Sequence, residues 1–89
     1  MSEQSGDGIL LVEDDAEIRI LLAEVLRHEK FNVFQAPDGE EAFKVFTEHQ
    51  DRIALIITDL GLPKLGGVDL IAKVRAINSR VRIIGSSGY

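Results

Sequence analysis

Ile9-Leu10-Leu11-Val12-Glu13-Asp14-Asp15 is the stretch that decides the fold. Four consecutive apolar residues make a strand apolar on both faces, as a central parallel strand must be when helices cover both sides of the sheet. The run stops at three consecutive acids, and from Asp15 onward the period changes. Ile18, Leu21, Leu22, Val25 and Leu26 recur at helical spacing and define one apolar helix face, expected to pack on the sheet. Asp15 reads as the N-cap of that helix, and Glu17 suits the positive end of its dipole.

The same alternation continues along the chain. Residues 31–36 read as a second strand, interrupted by Asn32 and Gln35, and Asp38-Gly39-Glu40-Glu41 as a helix start with Asp38 as cap and Glu41 reaching back. That helix carries Ala42, Val45 and Phe46 on one side, with Phe43 beside them. Residues 54–58 form the most apolar strand and end at Asp59. Leu60 to Gly67 holds Pro63 and three glycines and reads as a loop. Val68, Ile71, Ala72, Val74 and Ile77 then return to helical spacing, and residues 81–84 form a last strand before Gly85-Ser86-Ser87-Gly88-Tyr89. The order β-α-β-α-β-α-β implies a parallel sheet joined by right-handed crossovers.

Composition narrows the function classes. At 89 residues the chain holds one small domain, with residues 1–7 expected as a disordered tail and residues 8–89 as the folded unit. Fifteen acidic against ten basic residues give a net charge of −5, which argues against binding nucleic acid or docking on an anionic membrane. The absence of cysteine excludes disulfides, thiolate catalysis and thiolate metal sites. The longest apolar run, Ile53-Ala54-Leu55-Ile56-Ile57, is far short of a membrane span, and the N-terminus has no basic or apolar stretch like a signal peptide. A cytoplasmic protein is expected.

In an open parallel sheet the ligand crevice lies beyond the C-terminal ends of the strands. The polar residues collect there: Glu13 and Asp14 after the first strand, Asp59 after the third, Ser86 and Ser87 after the fourth. If the first and third strands are neighbours, three carboxylates converge, and their repulsion costs stability unless a cation compensates. An oxygen-only cluster without His or Cys suits Mg²⁺. Strand-end acids also serve as helix caps, and Asp15 fits that role better than a ligand role. His28 and His49 are read as solvent-facing, because no second metal-binding group stands at helical spacing from either. Phe31, Phe34, Phe43 and Phe46 are read as core. Arg19 reads as a charged helix surface residue without a role.

Leu11-Val12-Glu13-Asp14-Asp15, Ile56-Ile57-Thr58-Asp59-Leu60-Gly61-Leu62-Pro63 and Ser86-Ser87-Gly88-Tyr89 together resemble the receiver domain of bacterial two-component response regulators. Pro37-Asp38-Gly39-Glu40-Glu41-Ala42 and Gly66-Gly67-Val68-Asp69-Leu70 belong to the same pattern, which extends over residues 8–89. The resemblance implies an α/β, flavodoxin-like parallel sheet, an order for which receivers are a known example. Here that sheet is 2-1-3-4, because the fifth strand and last two helices are absent from this sequence. The resemblance makes Asp59 the phospho-acceptor, with Mg²⁺ held by Glu13, Asp14, Asp59 and the backbone carbonyl of Gly61. Ser87 falls at the switch hydroxyl position that hydrogen-bonds the phosphoryl group. Ser86 is its rival by one position, and Gly88 after Ser87 occupies the small-residue place. The implied partner is a histidine kinase or a phosphotransfer protein, and the implied role is regulatory, with no catalysis beyond the domain's own phosphorylation and dephosphorylation.

Two departures matter. The family's Lys at the end of a fifth strand and its aromatic switch residue have no counterpart in this chain, since Lys64 and Lys73 lie in other segments. The fourth strand is expected as an open edge beside an uncovered sheet face. That combination predicts a homo-oligomer, most simply a two-fold dimer with swapped or edge-paired elements. Two other functions share the fold: a small Mg²⁺-dependent phosphohydrolase or nucleotide-binding fragment, and an unphosphorylated receiver-like adaptor. Residues 61–67 lack the Lys-Ser/Thr of a phosphate loop. Residues 85–88 lack the glycine spacing of a nucleophile elbow.

Overall fold

The computed structural model describes residues 8–59 and 67–86. Strands and helices alternate strictly through them: β1 (Gly8–Val12), α1 (Ala16–His28), β2 (Asn32–Ala36), α2 (Gly39–His49), β3 (Ile53–Asp59), α3 (Gly67–Ile77) and β4 (Arg82–Ser86). The four strands form one parallel sheet in the order β2-β1-β3-β4, the order expected from the sequence. In β1, Ile9, Leu10, Leu11 and Val12 are all buried, so the strand is covered on both faces. That is the physical meaning of its unbroken apolar run.

Side chains opposite one another in parallel register share a face, and the two faces of this sheet are filled differently. On one face Leu10, Val12, Ala36 and Ile56 pack with Ala42 and Phe46 of α2 and Leu70 and Val74 of α3 into a single core. Phe46, Leu10 and Ile56 are wholly excluded from solvent. On the other face lies α1 alone, and its cover thins towards β4. Leu11, Ile57 and Ile84 stand in one register row. Leu11 is buried, Ile57 half-buried and Ile84 exposed.

Local signals fix the helix ends. The Asp15 carboxylate accepts from the amides of Glu17 at 3.0 Å and Ile18 at 3.2 Å, an N-cap as read from the sequence. Asp38 caps α2 by accepting from the Glu41 amide at 2.9 Å, while the Glu41 carboxylate lies 3.5 Å from Lys44 Nζ. The C-terminus of α1 closes on a pair of bonds that run backwards. Lys30 N–H donates to the Arg27 carbonyl at 2.9 Å and Phe31 N–H to the Leu26 carbonyl at 3.2 Å, the pattern of a Schellman cap. Lys30 sits at φ 78°, in the left-handed region where glycine is usual.

Several expectations are corrected. The apolar stripe of α1 does not pack as a core face: Ile18, Leu21, Leu22 and Val25 are exposed, Leu26 is half-buried, and the helix buries only Ala23. The reason is positional, since α1 lies over β1 and β2 and no described element flanks it over β3 and β4. In α3 the buried positions are Leu70 and Val74, with Ile71 half-buried and Ala72 and Ile77 exposed. Phe31 is exposed because the strand starts one residue later, at Asn32. His49 is half-buried, its ring stacked on Phe34 with centroids 4.7 Å apart. The expected tail at residues 1–7 lies outside the described residues.

Candidate functional site

Parallel strands all end on the same side, so the residues just past each strand there make the site. The row Val12–Thr58–Gly85 crosses β1, β3 and β4, and the next pair beyond it is Asp59 with Ser86. Glu13 comes directly after Val12, so Glu13, Asp59 and Ser86 occupy the same level at the mouth of the sheet, with Asp14 one residue further out. The adjacency of β1 and β3, on which convergence of the acids depended, is therefore met.

The turn from β1 into α1 is tightly tied. Glu13 N–H donates to the Ala36 carbonyl of β2 at 3.1 Å, continuing the ladder one residue past the strand. The Glu13 carboxylate accepts from the Asp15 amide at 3.0 Å. The Glu13 carbonyl accepts from Arg19 Nη1 at 2.8 Å, and Arg19 N–H donates to the Asp15 carbonyl at 2.9 Å. Glu13 is half-buried, whereas Asp14 is exposed at the open end. Asp15 is spent on the helix cap, which separates its role from that of its two neighbours.

Thus the fold brings Glu13 and Asp14 together at the end of β1 and sets the Asp59 backbone beside them at the end of β3. The side chains of Asp59 and Ser86, and all of Gly61 and Ser87, lie outside the described residues. Among the described side chains no three His, Cys, Asp or Glu converge; Glu13 and Asp14 are two oxygen donors, and the third position at that level is Asp59. His28 and His49 are on helix ends away from this mouth, so the donor set there is oxygen alone. That set fits a hard divalent cation such as Mg²⁺ and not a softer metal. Arg19 joins the site without a signal in the sequence: nothing in its helical position announces a bond to a carbonyl six residues back.

No helix of the described residues is long and apolar enough to cross a membrane. Residues 9–89 match the response regulator receiver domain family. Over 81 residues the chain is 33% identical to sporulation initiation phosphotransferase F of Bacillus subtilis, covering 91% of this chain and 64% of that protein. A response regulator receiver domain protein from Clostridium thermocellum superposes with a TM-score of 0.84 at 28% identity, over 88% of this chain and 62% of that one. The response regulator TrrA of Thermotoga maritima, solved in complex with Mg²⁺-BeF, superposes with a TM-score of 0.78 at 32% identity, over 86% of this chain and 65% of that one. The chain spans less than two thirds of the length of each of these relatives.

Proposed function

Because the chain belongs to the response regulator receiver domain family, we propose that it accepts a phosphoryl group on Asp59 from a phosphohistidine of a histidine kinase or phosphotransfer protein. The observation that carries this reading is the register: Asp59 closes β3 one level beyond the Val12–Thr58 pair, next to Glu13 and Asp14 and opposite Ser86. A carboxylate oxygen of Asp59 attacks phosphorus; the new P–O bond forms as the donor's P–N bond breaks, and its electron pair leaves on the imidazole nitrogen. Glu13, Asp14, Asp59 and the Gly61 carbonyl are the residues assigned to Mg²⁺. When bound, the ion neutralises charge on the anionic phosphoryl group and on the carboxylates that meet it.

The chain's own residues do the rest. The Glu13 backbone, bonded to Ala36 and Arg19, fixes the turn that carries the acidic pair, and Asp15 caps the start of α1 directly after it. Ser87, one residue past the Ser86 level, is assigned the hydrogen bond to the phosphoryl oxygen. Beyond phosphorylating and dephosphorylating itself the domain turns over no substrate, and we place it in the cytoplasm with its donor. Mg²⁺ in the complex of the related TrrA and the phosphotransferase name of the Bacillus relative are both in keeping with this reading.

The same reading includes self-association. Exposed Leu21, Leu22 and Val25 on α1 lie on the side of the sheet where Ile84 of the edge strand is uncovered. A two-fold antiparallel pairing of β4 centred on Ile84 sets the two Ile84 side chains together and keeps the two Arg82 guanidinium groups apart.

Incubation with acetyl phosphate and Mg²⁺ and then intact mass tests the central step. The wild type is expected to gain one phosphoryl group that Asp59→Asn does not take up, while Asp14→Asn loses most of the yield. Full uptake by Asp59→Asn would show that the nucleophile lies elsewhere. Continuous release of phosphate without a phosphorylated protein would favour a hydrolase. Parallel Ser86→Ala and Ser87→Ala variants show which hydroxyl affects the lifetime of the phosphoryl group.

A further inference from the structure

We propose that Arg19 is a positioning residue for the acidic pair Glu13–Asp14, acting through the Glu13 main chain and not through either carboxylate. Arg19 lies in the first turns of α1, and its side chain runs back towards the helix N-terminus, the direction helical side chains favour. There Nη1 donates to the Glu13 carbonyl at 2.8 Å from a half-buried position. The same residue's N–H holds the Asp15 carbonyl at 2.9 Å, and the Asp15 N–H holds the Glu13 carboxylate at 3.0 Å. Arg19, Asp15 and Glu13 therefore close a chain of bonds around the turn, with the Ala36 carbonyl anchoring its other side. The turn sets the direction in which the Glu13 and Asp14 side chains leave the sheet.

Charge and position give opposite signs here, which makes the assignment decidable. Judged by charge alone, a guanidinium beside an acidic site repels an incoming divalent cation, so removing it should tighten cation binding. If Arg19 instead fixes the turn, removing it weakens binding, as loss of supporting groups around metal ligands does. Arg19→Lys keeps the charge and a donor and should recover most of what Arg19→Met loses.

The metal half of the inference rests on the proposal that the acids hold a cation, so the experiment reads both with and without metal. Mn²⁺, a paramagnetic substitute for Mg²⁺, is titrated by electron paramagnetic resonance into wild type, Arg19→Met and Arg19→Lys. Amide hydrogen exchange is measured on the same three proteins in EDTA. The expected result is an affinity lower by roughly tenfold in Arg19→Met and near wild type in Arg19→Lys. In EDTA the Asp15 amide of Arg19→Met should exchange faster while the Ala23 amide in the middle of α1 is unchanged. Equal or tighter Mn²⁺ binding by Arg19→Met overturns the proposal, whatever the exchange rates. If the wild type itself takes up no Mn²⁺ in the millimolar range, the reading of the acids as a cation site has failed, and Asp15 exchange then decides the positioning role alone: faster exchange upholds it and unchanged exchange overturns it.

Discussion

Leu11 and Ile84 stand in the same register row on the same face of the sheet, yet Leu11 is 1% exposed and Ile84 53%. The row crosses only β3 between them, so protection is lost over two strand spacings, roughly 10 Å. Across the opposite face the row Leu10–Ile56–Ile83 stays covered further, because α2 and α3 both lie there. The asymmetry comes from helix placement and not from residue type, since all these side chains are aliphatic.

Self-association should result from that asymmetry. Fully burying an isoleucine from water is worth about 1.5–3 kcal/mol. Ile84 has about half of its surface left to cover, so a two-fold contact centred on it gains at most about half that value from each protomer. Sedimentation velocity over a wide concentration range should show dimer in the wild type and monomer in Ile84→Glu, whose carboxylates would meet across the axis. A wild-type protein that stays monomeric at high micromolar concentration would remove β4 as an association edge.

Mg²⁺ should raise the melting temperature, because an ion bound only by the native state adds stability as its concentration rises. At a hundred times Kd the gain is about 2.7 kcal/mol. Asp14→Asn removes an exposed carboxylate from the mouth without disturbing the core, so its unfolding without metal should resemble wild type while its response to Mg²⁺ largely disappears. Thermal melts across a millimolar titration check this, with Ca²⁺ as comparison. A flat wild-type response would contradict the oxygen-donor reading of Glu13 and Asp14.

How much of this was legible in the sequence depends on whether the determining partner is local. The Asp15 and Asp38 caps, the doubly buried β1 and the acids at the strand ends could be read directly, since each is set by neighbours within a few residues. The stripe on α1 was legible as a stripe, but periodicity does not say what a face meets, and most of this one meets solvent. The stacking of His49 on Phe34 and the bond from Arg19 to Glu13 join segments that only the fold brings into place. At Lys30 the usual glycine signal is missing, so the left-handed cap left no trace in the residue type.

That cap offers a stabilising change. Lys30 holds φ at 78°, where a side chain with Cβ is strained, while its N–H and that of Phe31 complete the end of α1. Lys30→Gly keeps both bonds and relieves the strain, less the entropy that glycine adds to the unfolded chain. A net gain of about 0.5–1 kcal/mol is expected. Urea unfolding should give a higher midpoint at an unchanged slope, and Lys30→Ala, which retains Cβ, should give almost none of that gain.

Gly8 predicts the reverse. Its N–H donates to the Arg52 carbonyl at 2.8 Å, bringing the start of β1 against the turn that leads into β3. A Cβ placed on Gly8 would fall inside the contact distance of that same carbonyl oxygen and 3.2 Å from the Phe34 ring. The obstacle is backbone, which cannot rotate away as a flexible side chain can, so Gly8→Ala must either break the bond or shift β1 against β3. Overpacking of this kind costs about 1–3 kcal/mol, and in a domain this small each kcal/mol lowers the melting temperature by roughly 4–8 °C. Because the register from Ile9 to Val12 sets the level of Glu13 against Asp59, a strand shift would also be felt at the far end of the sheet. Gly8→Ala should therefore lose both thermal stability and Mg²⁺ response, whereas a variant that only broke the Arg52 bond would lose stability alone. Paired melts with and without Mg²⁺ separate the two, and an unchanged melting temperature would show that the turn at Arg52 yields to the methyl group.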